Sequence, residues 1–162
     1  MSAAALASRV ARARGRAPVG GRVQMRVPWP VSALDPHALD DVAAAIFGEA
    51  VFDSLYAYDG ARVVPALAET LPEAAGDGAR VRLRAGLTSA SGRPIGLREA
   101  IASLARARAG SARAWLVNVP APRRVDALTM HFANVDAAKL AASLASPLCA
   151  IVPSGFSPAR PD

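Results

Sequence analysis

Between Gly21 and Tyr58 the chain specifies a strand, a corner and a helix in that order, and this order restricts everything downstream. Val23, Met25 and Val27 alternate with Arg22, Gln24 and Arg26, the period of a strand with one buried face. Pro28 and Pro30 cannot donate to a ladder and end it. Asp35-Pro36 holds the chain extended at a corner, and Asp40 or Asp41 is placed to cap a helix. The predicted apolar stripe of that helix is Ala43, Phe47, Val51 and Leu55, flanked by Val42, Ile46 and Ala50.

The rest of the chain alternates in the same manner. Tyr58-Asp59-Gly60 and Ala75-Gly76-Asp77-Gly78 read as tight turns, and Val81 and Leu83 among Arg80, Arg82 and Arg84 as a half-buried strand. Between the prolines Pro65 and Pro72, a helical turn is predicted over residues 66–71. A helix is predicted over residues 97–109, ended by Gly110, with Leu97, Ile101, Leu104 and Ala105 inward. Arg98, Glu99, Arg106 and Arg108 are assigned to its water side. Residues 115–119 read as an extended apolar piece stopped by Pro120 and Pro122. Leu128, Met130 and Phe132 form a second alternating strand that turns His131 to solvent. A last helix over residues 137–145 is capped by Asn134 or Asp136 and closed by Pro147.

These elements predict an α/β (α+β) fold, with a mixed, mostly antiparallel sheet and helices packed on it. A chain of 162 residues suffices for one such core. The predicted domain is 21–155, between a basic tail at 1–20 and a disordered end at 156–162.

Charge is unevenly placed. Residues 1–34 hold six arginines and no acid, while the remainder holds thirteen basic and thirteen acidic residues, so the net charge of +6 belongs to the tail. A nucleic-acid groove needs basic residues clustered on a folded face with aromatics between them, and aromatics are scarce here. Nucleic acid is therefore not an expected partner. No apolar run reaches about 20 residues, so the chain is not expected to span a membrane. Ala3 to Ala7 is too short for a signal peptide and precedes the arginines, so no export signal is recognisable.

Reactive chemistry is thin. CxxC, HExxH, GxGxxG, phosphate-loop and GxSxG patterns are all missing from the sequence. Cys149 is the one cysteine, and its apolar setting predicts a buried, unreactive thiol. Asp35, Asp40, Asp41, Asp53 and Asp59 stand where caps and turns favour Asp, and His37 alone makes no metal site. An enzyme is not expected, and neither a metal nor a cofactor.

Several short motifs carry a resemblance. Leu34-Asp35-Pro36-His37, Asp53 to Gly60, Val64-Pro65-Ala66-Leu67-Ala68-Glu69, Arg80 to Leu83, Gly92-Arg93-Pro94-Ile95, and Ala145-Ser146-Pro147 with Ala150-Ile151-Val152-Pro153 follow one another in an order. In that order they resemble the N-terminal portion of the family 5 extracellular solute-binding proteins, which serve ABC importers of peptides and nickel. The stretch 85–92 departs from the family, whose aromatic and His-Asp pair are replaced here by Ala85-Gly86-Leu87-Thr88-Ser89-Ala90-Ser91-Gly92.

The resemblance implies part of the first lobe of a periplasmic-binding-protein clamshell, in a shorter chain than its relatives. It implies a truncated substrate-binding component with a peptide or other small solute as ligand, ABC permease subunits as partners, and a periplasmic location. Trp29, Ser32, Leu34 and His37 match positions that border the ligand cleft. With the second lobe missing, solute binding is expected to be weak. A small structural or interaction protein that kept this half-fold is the alternative reading.

Overall fold

The structure, a computed structural model, describes Gln24 and residues 34–38 and 42–158. The predicted first strand, the basic tail and the Asp40 and Asp41 caps lie outside the described residues. Helix α1 spans Val42–Val51 and is followed by the strands β1 (Tyr56–Asp59), β2 (Arg62–Pro65), β3 (Glu73–Ala75) and β4 (Gly78–Arg82). Helix α2 covers Leu97–Ala109 and leads through a 3-10 turn at Ser111–Ala114 to β5 (Arg123–Arg124) and β6 (Thr129–Ala133). Helix α3 covers Ala137–Leu144, and a second 3-10 turn, Pro147–Cys149, precedes the final irregular segment.

Among the described residues the strands form two antiparallel sheets, a β1–β2 hairpin and a four-stranded sheet in the order β3-β4-β6-β5. Gly60 and Gly76 supply the positive φ, 60° and 59°, that tight hairpin turns require. The β4–β6 register sets Val81 opposite Met130 and Ala79 opposite Phe132. All four side chains are buried, together with Leu83 beyond the strand end. Gly78 has a separate constraint, because a Cβ there would overlap the Phe132 carbonyl oxygen. The apolar face of this sheet meets Leu97, Ala100, Leu104 and Ala107 of α2 and Leu140 and Leu144 of α3 in one core. Asp136 caps α3 by accepting from the Lys139 N–H at 2.9 Å.

The α+β class and its antiparallel pairing are those read from the sequence. Some local expectations are not met. Helix α1 stops at Val51, with Phe52 N–H bonded to Gly48 O as its last helical bond, so Leu55 is not on the helical stripe. Leu55 is instead fully buried just before β1, because the Ile151 N–H bonds to Asp53 O and the Ser54 hydroxyl donates to Ser146 O. Ile46 and Val51 remain half exposed. Residues 66–71 form no helical turn, since Ala68 bridges to Leu83 and Glu69 N–H bonds to Arg82 O. Residues 115–118 are successive turns and not an extended piece.

The buried face of α2 is Leu97, Glu99, Ala100, Ser103, Leu104 and Ala107, rotated from the predicted one, and Ala105 is exposed. His131 is buried as well, because β6 lies between two neighbouring strands; its Nε2 meets Ala75 O at 3.1 Å. Cys149 is buried as predicted, its Sγ donating to Ser143 O, and burial pushes the thiol up to about 12. Among the described residues, no helix is long and apolar enough to cross a membrane.

Candidate functional site

Two segments without regular structure meet on α2: the corner at 34–38 and the return segment at 150–156. Backbone groups in such segments have no ladder to satisfy them, so side chains must. At the corner, Asp35 Oδ1 accepts from the His37 N–H at 3.0 Å and Asp35 O accepts from Ala38 N–H at 3.2 Å, closing an Asx turn around Pro36. Arg106, from the last turn of α2, grips the Asp35 carboxylate with both terminal nitrogens, at 2.8 and 2.7 Å. This two-point pairing fixes direction as well as charge.

His37 is 3% exposed and uses both ring nitrogens. Its Nε2 lies 2.8 Å from Ala150 O, and its Nδ1 meets Arg106 Nη1. The neutral tautomer with the proton on Nε2 donates to the carbonyl and accepts from the guanidinium. Burial pushes the His37 pKa down, and the Arg106 charge adds to this against the Ala150 carbonyl and Asp35. For Asp35, burial acts upward, but the bonds from Arg106 and the His37 N–H outweigh it and the net shift is downward.

Two further α2 side chains, Ser103 and Glu99, hold the return segment. Ser103 donates to Val152 O at 3.2 Å and accepts from Val152 N–H at 2.9 Å. Glu99 is 6% exposed and accepts from the Ser154 hydroxyl at 2.8 Å, from Arg98 at 2.9 Å and from the Gly96 N–H at 3.1 Å. Burial alone would raise the Glu99 pKa; these bonds overcome it and bring it down to about 2. Phe156 packs edge-on against Phe52 at 5.6 Å between centroids, and the Arg106 guanidinium lies 5.4 Å over its ring.

Phe156 separates two clefts. One, of about 220 Å³, lies between the end of α1, the hairpin at 87–95 and the return segment; Phe52, Leu67, Leu87 and Ile151 wall it, with Asp53 and Ser89 as polar points. The other, of about 250 Å³, opens between α2 and the return segment beside Glu99, Ser103, Arg106 and Ser154. Its charged groups are already bonded within the protein, so this arrangement positions backbone and offers no poised acid or base. Among the described residues no group of three His, Cys, Asp or Glu side chains is placed to hold a metal ion.

Of the residues marked by the sequence, Trp29 and Ser32 lie outside the described residues. Leu34 is partly buried, with its N–H 3.4 Å from Pro158 O, and shares the corner with the inward-turned His37. The sequence marks none of Arg106, Glu99 and Ser103 as a site residue, and its periodicity sends Arg106 and Glu99 toward water. One signal for Glu99 was present: it stands at the third position of α2 after Gly96, from which a Glu side chain folds back to the N-terminal backbone.

No family model and no curated protein matches the sequence. Solved structures do match in fold. The chain is similar to a nickel ABC transporter protein from Bacillus halodurans, with a TM-score of 0.64 and 22% identity, over 78% of this chain and 27% of that one. It is similar to NikA from Brucella suis in complex with Fe(III)-EDTA, with a TM-score of 0.62 and 24% identity, over 80% of this chain and 28% of that one. It is also similar to Listeria monocytogenes OppA bound to peptide, with a TM-score of 0.59 and 18% identity, over 76% of this chain and 29% of that one. The match therefore spans little more than a quarter of the length of these proteins. The chain has the fold of part of the family 5 solute-binding proteins of ABC importers.

Proposed function

We propose that this chain is a first-lobe portion, residues 21–155, of a periplasmic solute-binding protein that hands peptides or similar small solutes to an ABC permease. It works by binding and not by catalysis. The observation that supports this most is the two-point Asp35–Arg106 pairing, which with His37 holds the corner rigidly against α2. A corner fixed in this way presents its outer backbone at no further ordering cost, which favours capture of an extended ligand. In this reading Trp29, Ser32 and Leu34 border the solute, and His37, buried at the corner, holds the corner in place.

A clamshell gains affinity by burying its ligand between two lobes, and one lobe leaves much of the ligand in water. Titration calorimetry of the 162-residue chain against a di- to pentapeptide mixture is the test. Binding no tighter than roughly millimolar is expected, about 4 kcal/mol. Adding the remaining portion of a related binding protein in trans should tighten it. Micromolar binding by the chain alone would overturn the one-lobe reading, and no gain from the added portion would remove the support for solute capture.

A further inference from the structure

The turn that follows α2 presents a rigid apolar tip inside a stretch of pure positive charge. Ala112, Leu116 and Val119 are its anchors, at 0%, 2% and 2% exposure. Between them, Trp115 is 55% and Val117 75% exposed. The tip is not a loose loop: Trp115 N–H bonds to Ala112 O at 3.0 Å, Leu116 N–H to Arg113 O at 3.1 Å, and Val119 N–H to Leu116 O at 3.1 Å. An indole and an isopropyl group are thus held in water by a fixed base, although both would gain from leaving it.

Charge narrows the choice of what receives them. From residue 100 to 125 the chain holds Arg106, Arg108, Arg113, Arg123 and Arg124 and no acid. Arg106 is taken by Asp35, and the other four form no ion pair among the described residues. Arg108 sits in the last turn of α2 and Arg113 in the 3-10 turn, so both flank the tip directly. The surface sought is therefore anionic. A stable protein partner needs about 800 Å² on each side, and two side chains fall well short of that. A nucleic acid would need several aromatics spaced along a groove, whereas Trp115 is the single aromatic between residues 100 and 125. A bilayer needs only a shallow apolar tip with an amphipathic ring and flanking cations.

We propose that the 111–119 turn is a membrane-contact tip, which seats Trp115 and Val117 in the headgroup layer of an anionic bilayer while Arg108 and Arg113 pair with lipid phosphates. This stands apart from the solute-binding reading, and either can fail without the other.

The test uses the full chain carrying Trp29→Phe, so that emission reports Trp115 alone, with vesicles of phosphatidylcholine with or without phosphatidylglycerol. A blue shift is expected only with the anionic vesicles, and it should weaken as salt rises. In the otherwise unaltered chain, Trp115→Ser and Val117→Ser should each lower sedimentation with anionic vesicles by about tenfold. Absence of the shift, or undiminished sedimentation of both variants, would overturn the proposal. An equal shift with polyglutamate or single-stranded DNA would overturn the lipid assignment in favour of a general polyanion surface.

Discussion

The β4–β6 pair and the α2 clamp stabilise neighbouring parts of one molecule by different physics. In the sheet, a backbone ladder carries Val81 against Met130 and Ala79 against Phe132, so the polar groups satisfy each other and the side chains are left to pack. In the clamp, the segments 34–38 and 150–156 have no ladder, and Arg106, Ser103 and Glu99 satisfy them one bond at a time. Burial of apolar area is indifferent to pH and to the direction of contact, whereas hydrogen bonds to Asp35, His37 and Glu99 are directional and titratable. The clamp is thus the region held by directional bonds, and its stability answers to protons.

The comparison breaks first if the sheet is not the main source of stability. Phe132→Ala empties a fully buried site and is expected to cost about 3–5 kcal/mol, a large part of a total margin of about 5–15. Urea unfolding measures this; a loss below about 1 kcal/mol would mean that the core is loosely packed there. Arg106→Met tests the clamp. It removes both bonds to Asp35 and the contact with His37, but the pair is partly exposed at 35% and 20%, so solvent screening lowers the loss to about 2 kcal/mol. Limited proteolysis should then cut the 34–38 corner well before the sheet opens. Equal resistance in parent and variant would show that the corner needs no clamp.

Acid gives the mildest and most graded test. His37 and Glu99 both have folded pKa values below their unfolded ones, so each stabilises fully above the unfolded value and loses that contribution as pH falls. For His37 the loss begins below 6.5, and for Glu99 it runs from 4.5 toward about 2. Melting temperature should therefore fall in two stages, the lower one shared with Asp35, and Glu99→Gln should weaken the lower stage while leaving the upper. A single-stage fall shared by parent and variant would place the titrating groups elsewhere.

The sheet and α2 were legible because their signals are local. Gly96 and Gly110 bracket α2, and the alternation of Leu128, Met130 and Phe132 needs no knowledge of the partner strand. The misplaced elements were decided by distant groups. Periodicity would carry α1 on to Leu55, but Ile151 and Ser146 draw the chain out of the helix at Asp53 and Ser54. The run at 115–119 looked like a strand by composition, although Ala112, Leu116 and Val119 recur at intervals of four and three, the spacing of a helical turn. At the site, an arginine at helical spacing ordinarily marks the water side, and only the position of the Asp35 corner in space turns Arg106 into a clamp.

Cys149 gives this organisation a measure in time. Alkylating reagents attack thiolates, and the only sulfhydryl in the chain is both out of reach and held in its protonated form. It becomes reactive only when the stretch leading into the return segment lifts away. Where alkylation outruns reclosing, each chemical modification therefore records one such excursion, and the growth of the adduct peak in a mass spectrum is a clock that counts how often this stretch opens.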